Sequence, residues 1–512
     1  MVSKLTLSQK SKMNILIGVI STFVTSIMTF LFIRFTIQFF MDEVNGFIRV
    51  ATSIVSYANL AQGTIGLTLV FFLYGPIARK ETEKSNAIFS IANKWMKIFG
   101  GVYLIILLIL SCLLPLMLFS NGGVVGFPLW KLMIIVMFIG IGVSFSYFVS
   151  GKYSLLLTAQ NNKFIVTGSL LLINIATMAF VLPMMWKFHG QNHFIMYVAL
   201  INAKVVFSGI LITIYTKRKN KWIKIINIDK ALEKQFKKKA MGSLVHQVAT
   251  LIVFSTDEIV LAIYSNHAGS KEALILISIY SSYLMLSNFA LTMISMLISS
   301  FENQIGLENN GEDFNVDRFL AFEKKSIIWI SFSTMVLFLL LPHYTNLLFN
   351  TNNINGYFSY KISLLISIIL ILNTLRIPSS ILVNVNGHFN ETKWRAIIEA
   401  TINIVLSLIL VWFLNIYGVL IATVISFCYR TIDFFVYSQR FLDNKSLKSR
   451  VSMLLLIIIQ IIVMIIITFE FAFKMNVWNL ILYSIIVFWI MIIIYSLIFA
   501  KIHRIKMKKE GK

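Results

Sequence analysis

Residues 394–440 read WRAIIEATINIVLSLILVWFLNIYGVLIATVISFCYRTIDFFVYSQR, and this stretch decides the fold. It holds two runs, 394–414 and 417–440, each long enough to cross a bilayer, because about 20 helical residues span the ~30 Å of hydrocarbon. Only Asn415 and Ile416 separate the runs, so the two helices must return on each other as an antiparallel pair. Charged residues, Arg395, Glu399, Arg430 and Asp433, gather toward the end away from the turn.

The same pattern repeats outward along the chain. Apolar spans fall near 14–40, 46–77, 91–119, 129–157, 163–186 and 193–216, then 243–265, 273–300, 326–349 and 359–386 before the hairpin, with 451–473 and 477–500 after it. The reading is an all-α polytopic membrane protein of about 14 transmembrane helices. Composition agrees, since 58% of the 512 residues are hydrophobic, only 13% are charged, and the mean hydropathy is +0.83. No water-soluble core hides that much apolar surface.

The net charge of +24 is compatible with nucleic-acid binding in principle. The basic residues instead sit in short connections beside apolar spans, where they meet anionic headgroups, so no nucleic-acid partner is expected. They also alternate. Of 45 Lys and Arg residues, nearly all connecting ones fall on every second connection, with Lys187, Lys271 and Lys474 alone on the others. The positive-inside bias therefore places both termini in the cytoplasm. The apolar run that follows the basic first residues is too long for a signal-peptide core, so the first span is expected to stay. Cys112 and Cys428 lie inside apolar runs and offer no disulfide framework or paired metal ligands.

Four regions follow. Residues 1–217 form an amino-terminal six-helix bundle, and 218–242 form a basic cytoplasmic linker. Residues 243–440 form a second six-helix bundle, and 441–512 add two helices and a basic tail. In the linker, Trp222, Ile225 and Ile226 stand at i, i+3, i+4 among lysines, the spacing of a helix lying in the membrane interface. A solvated basic segment is the other reading.

Polar residues at membrane depth are costly and point to function. Arg49, Thr52, Ser53, Ser56 and Asn59 share one face of the second span. The first span contributes Arg34 and a stripe of hydroxyls. In the seventh span, Ser243, His246, Thr250 and Asp257 fall within one arc, with Glu258 turned away from it. Glu399, Asn403 and Ser407 follow at i, i+4, i+8 in the eleventh span. Each also has a plain structural use: hydroxyls bond their own helix, Arg49 can snorkel, and Arg430 with Asp433 can form an i, i+3 pair.

No HExxH, phosphate loop or clustered His and Cys set is present, so no catalytic residue, metal or cofactor is expected. The outside connections are short, leaving little room for the acceptor site of a membrane polymerase. The acidic segment 301–325 reads as a solvated linker.

Faint internal echoes link the halves. SIVSYANL (53–60) resembles ISIYSSYLML (277–286), and residues 154–174 resemble 380–403, the two members of this second pair each with an Asn-containing hinge. MDEVNGFIRVATSIVSYANLAQGTIG (41–66), STDEIVLAIYS (255–265), SIYSSYLML (278–286) and RIPSSILVNVNGHFNETKWRAIIEATINIVLSLILVWFLNIYGVLIATVIS (376–426) carry a family resemblance in their order and spacing. Across residues 10–440 the chain resembles the Wzx-like polysaccharide flippases of the multidrug/oligosaccharidyl-lipid/polysaccharide exporter superfamily.

The resemblance implies two pseudo-symmetric six-helix bundles around a central cavity, with two further helices as in lipid II flippases. It implies a transporter, not an enzyme, that moves polyprenyl-diphosphate-linked oligosaccharide repeat units across the bacterial cytoplasmic membrane for surface polysaccharide. Its partners would be that lipid-linked substrate, membrane lipids and other polysaccharide-assembly proteins. Arg34 and Arg49 fit the diphosphate, with Ser53, Ser56, Asn59, Thr250 and Asn403 facing the sugars and Asp257, Glu399 and Asp433 available for ion coupling. Two other readings stay open: a multidrug or small-cation exporter on the same fold, and a membrane polysaccharide polymerase or ligase. The chain departs from the drug exporters in having no acidic residue within the first span.

Overall fold

A computed structural model describes residues 7–118, 127–268, 270–299, 316–354, 356–385, 389–442, 444–470 and most of 478–490. The described residues are almost entirely helical. Twelve helices among them are long and apolar enough to cross a membrane, which makes this a multi-pass membrane protein. The expected seventh span lies inside a longer helix, Lys230–Ala268, and the expected last span, 477–500, falls largely outside the described residues.

Two compact units divide the chain, Met1–Ser278 and Ile279–Lys512. The helix after the 218–242 linker packs on helices of the first unit.

The first unit contains α1 (Leu7–Phe40), α2 (Asp42–Ala58), α3 (Leu60–Ala78), α4 (Thr82–Leu118) and α5 (Leu129–Phe145). A π-helical turn, Ser146–Ser150, joins α5 to α6 (Gly151–Ala159), and α7 (Lys163–Lys187), α8 (Gln191–Lys219) and α9 (Lys230–Ala268) follow. The expected single span 46–77 is broken at Asn59, whose N–H turns back to the carbonyls of Val55 and Ser56 at 3.1 and 3.2 Å. No Pro or Gly marks this break. Pro76, Pro115 and Pro183 instead sit inside long helices, which a membrane helix tolerates when neighbours satisfy the freed carbonyls. The core is apolar, with Leu69, Leu73, Ile91, Ala92, Met96 and Leu107 fully buried.

At one point backbones nearly touch. A Cβ on Gly46 would stand 2.1 Å from the carbonyl oxygen of Leu274, so only glycine lets α2 approach α10 (Ser270–Ser299) this closely. Asn45 Nδ2 seals the crossing by donating to Ser278 Oγ at 2.8 Å.

The linker corrects the expectation of an interfacial helix. Residues 223–229 are extended or irregular, because side chains of α4 take up their backbone groups. Asn86 Nδ2 donates to the Trp222 carbonyl at 3.1 Å, the N–H of Lys224 donates to Asn86 Oδ1 at 3.0 Å, and the N–H of Ile226 donates to Ser90 Oγ at 2.9 Å. Trp222, Ile223, Ile228 and Leu232 then pack against the core.

The second unit holds the rest of α10, then α11 (Val316–Phe349), α12 (Tyr360–Val385), α13 (Phe389–Ser438) and α14 (Asn444–Glu470). The opening hairpin lies in α13, two helical arms that meet at Asn415, φ 52 and ψ −131. A Cβ on Gly418 would lie 2.2 Å from the Leu410 carbonyl oxygen, so glycine allows the arms to close. Ile330, Phe338, Ile371, Leu382 and Met464 are fully buried at the centre of the core. Facing outward, Trp412, Phe413, Ile458, Ile459 and Ile466 are large and exposed, as a lipid-facing surface requires.

Candidate functional site

Two sets of polar side chains meet between helices, one in each unit. In the first, α2 and α9 form a polar seam. Ser53 donates to Glu258 Oε2, and Arg49, one turn earlier, lies within electrostatic reach of the same carboxylate. One turn further, Tyr57 Oη shares a hydrogen with Thr256 Oγ1 at 2.5 Å and reaches the Leu251 carbonyl at 3.3 Å. The α2 face at i, i+4, i+8 is therefore in register with a short stretch of α9. Arg49 keeps a buried Nε for which no described residue supplies an acceptor.

The sequence-derived stripe on α2 divides here. Ser53 is buried in the seam, whereas Thr52 is exposed, and Thr52 and Ser56 donate to the carbonyls of Ile48 and Thr52 in their own helix. Asn59 sits at the break before α3, its Oδ1 buried without a hydrogen-bond partner among the described residues. Arg34 is half-buried near the end of α1. Asp257 is 3% exposed on α9, but its neighbour Glu258, expected to point away, is the one that meets Ser53. The side chains of Thr250, Ser243 and His246 lie outside the described residues.

In the second unit the charges form a chain of ion pairs. Arg376 donates to Glu399 Oε1 at 2.7 Å and grips Asn373 Oδ1 through Nε and Nη2 at 3.1 and 2.7 Å. Arg430 reaches Glu399 Oε2 at 3.5 Å and Asp433 Oδ2 at 2.8 Å, and Arg395 closes on Asp433 Oδ1. Each carboxylate is thus shared by two guanidinium groups. Phe427 and Phe434 lie under Arg376 and Arg430, with ring centroids at 4.7 and 4.1 Å, adding cation–π contact. Asn403 is fully buried and bridges the hairpin arms, donating to Thr423 Oγ1 at 3.1 Å and Ser426 Oγ at 3.4 Å.

Two basic residues near the ends of apolar runs are buried. Arg450, 1% exposed, pairs with Glu323 through Nε and Nη2 at 2.9–3.1 Å, and also binds Ser379, Ser438, Gln439 and the Phe435 carbonyl. It ties α14 to the second unit beside a cavity of about 10 Å³, roughly one water in size. Lys152, 8% exposed, donates to Asn93 Oδ1 at 2.5 Å. The sequence hid the burial of both, because only tertiary packing reveals the acceptor. Among the described residues, no group of three or more His, Cys, Asp or Glu side chains is arranged to hold a metal ion.

No protein-family model matches the chain, and no curated protein matches it by sequence. Solved structures do. An inward-closed lipid II flippase MurJ aligns with a TM-score of 0.65 at 19% identity, covering 95% of this chain and 99% of that one. An inward-facing multidrug resistance MATE family transporter of the MOP superfamily aligns at 0.59 and 13% identity, covering 83% and 95%. A MOP superfamily transporter from Pyrococcus furiosus, described as having a binding pocket of reverse polarity, aligns at 0.56 and 12% identity, covering 85% and 96%. The chain has the MOP-type transporter fold, and its structural neighbours are transporters of that superfamily.

Proposed function

We propose that this chain is a Wzx-like flippase that moves polyprenyl-diphosphate-linked oligosaccharide repeat units across the bacterial cytoplasmic membrane by alternating access, with both termini cytoplasmic. The observation that carries the reading is Arg49, a guanidinium in the seam between α2 and α9 that retains a buried donor beyond its carboxylate partner. A diphosphate supplies acceptors in the bidentate geometry that guanidinium prefers. The likeness to a lipid II flippase over nearly the whole of both chains supports a lipid-linked cargo.

Physical chemistry divides that cargo. Sugars and phosphates cannot enter hydrocarbon without losing hydrogen bonds worth several kcal/mol each, of order ~4–8 for one polar group, whereas the polyprenyl tail stays in the lipid. Arg49 and Arg34 attract the diphosphate, and Ser53, Ser56, Asn59 and Thr250 bond the sugars. Asn403 holds the hairpin through its amide nitrogen and leaves Oδ1 as an acceptor for the sugars. Asp257, Glu399 and Asp433 are the carboxylates available for ion coupling, and at Glu399 and Asp433 a proton or sodium would first have to displace a guanidinium.

The test is complementation of a deletion strain. Arg49→Ala and Arg34→Ala variants that reach the membrane at normal levels should leave repeat units on the inner leaflet and little surface polysaccharide. Full surface polysaccharide from both variants overturns the assignment.

A drug or small-cation exporter is the second reading, favoured by the MATE-type neighbours and by buried Asp257 beside half-buried Glu258. It predicts drug hypersensitivity of the deletion strain with surface polysaccharide intact. A polymerase or ligase would instead leave unpolymerised units already on the outer leaflet.

A further inference from the structure

The segment between α8 and α9 is a fixed strap, and its outward side is strongly basic. Ten Lys and Arg residues lie between 217 and 239, Lys221 and Lys224 in the strap itself and eight on the flanking helices, against Asp229 and Glu233 alone. The strap is held at both ends and in its middle. Asn220 Oδ1 accepts from Gln160 at 2.9 Å, Asn86 and Ser90 bind the backbone of residues 222–226, and Lys94 pairs with Glu233 at 2.8 Å. A basic segment with this many anchors is not a loose linker.

Its depth follows from helix length. α4 has 37 residues, about 55 Å of helix against ~30 Å of hydrocarbon, so its first turns extend past the apolar layer. Asn86 and Ser90 lie in those turns, which sets the strap at headgroup level. There its polarity is divided. Trp222 and Ile223 pack inward on the core, while Ile225 is 66% exposed between exposed Lys221, Lys224 and Asn227. An exposed isoleucine flanked by lysines has poor company in water, but at a bilayer surface it can enter the acyl boundary while the ammonium groups meet phosphates.

We infer that residues 220–228 form a lipid-recognition strap that binds anionic phospholipid headgroups, with Ile225 inserted between them. Charge complementarity selects the occupant, since each lysine at an anionic surface favours contact by about fivefold. The inference is independent of the cargo the protein carries.

The experiment uses the full chain in nanodiscs of phosphatidylcholine, with or without phosphatidylglycerol. Cys112→Ser and Cys428→Ser remove the native thiols, and Ile225→Cys receives an environment-sensitive fluorophore. The expected result is a blue-shifted emission only with phosphatidylglycerol, quenched at least ~fivefold more by spin-labelled phosphatidylglycerol than by spin-labelled phosphatidylcholine. The shift should weaken at high salt and vanish in Lys221→Gln/Lys224→Gln, two exposed changes that leave the core untouched. Equal emission in both bilayers, or a shift that survives the lysine changes, overturns the inference. So does an equal shift produced by soluble tripolyphosphate in phosphatidylcholine discs, which would mark the strap as a general phosphate binder.

Discussion

The α2–α9 seam and the α12–α13 network handle buried charge in opposite ways. In the seam, Arg49 has one carboxylate partner that also accepts from Ser53, and a buried Nε remains over. In the network, three arginines and two carboxylates interlock, so that Arg376 and Arg430 share Glu399 while Arg430 and Arg395 share Asp433. The first arrangement keeps a donor free to take a further acceptor while the ion pair stays in place. The second can lose no member without stranding a charge, which marks it as architecture.

The sharpest way to break this contrast is Arg430→Ala. Glu399 and Asp433 would each lose a partner in a dry setting, and a loss of about 3–5 kcal/mol is expected, read as a lower unfolding temperature in detergent and poor membrane yield. A variant as stable as the parent would make the network dispensable. The seam should behave differently. Arg49→Ala alone leaves Glu258 short of its counter-charge and should cost on the order of 1.5–3 kcal/mol. Arg49→Ala/Glu258→Gln should recover most of that stability while transport remains lost. If transport returns with stability, the arginine is only a structural partner.

A smaller effect, about 1 kcal/mol, is expected for Asn403→Ala, because an interhelical hydrogen bond in lipid is worth little more than in water. Its transport rate should fall, as should that of Ser53→Ala in the seam. Smallest of all is a pH effect at the strap. The Lys94 hydrogen bond holds the Glu233 carboxyl below its ordinary range. That contribution is complete above the ordinary carboxylate pKa of about 4.3 and is lost as pH falls through the lowered value. A fluorophore at Ile225→Cys should report loosening only in this acid range, and Glu233→Gln should show the loosened emission at neutral pH.

Much of this was legible in the sequence. The run lengths 394–414 and 417–440 gave the hairpin almost to the residue, because about 20 apolar residues have one common solution in a bilayer. The polar face of α2 was half legible. Periodicity puts Arg49, Ser53 and Tyr57 on one line, but it cannot say that Thr52, 100° away from Ser53, faces outward. Nor could it choose between Asp257 and Glu258, since an arc projected from Ser243 accumulates error over fourteen residues. The break at Asn59 was invisible because neither Pro nor Gly produces it. The burial of Arg450 and Lys152 was not legible for a different reason: only tertiary packing reveals a buried acceptor such as Glu323 or Asn93.

The π-helical turn at Ser146–Ser150 sets the rotational phase of everything that follows it. It accommodates one residue more than an α-turn would, and each residue is worth about 100° of rotation, so α6 starts out of step with α5. Lys152, the second residue after the turn, meets Asn93. Shortening the turn by one residue would swing the ammonium group about a quarter-circle or more around the axis, from an amide acceptor toward apolar neighbours. A single-residue gap in this place would therefore act as a rotation of the downstream helix, and its cost would exceed that of any point change within the turn.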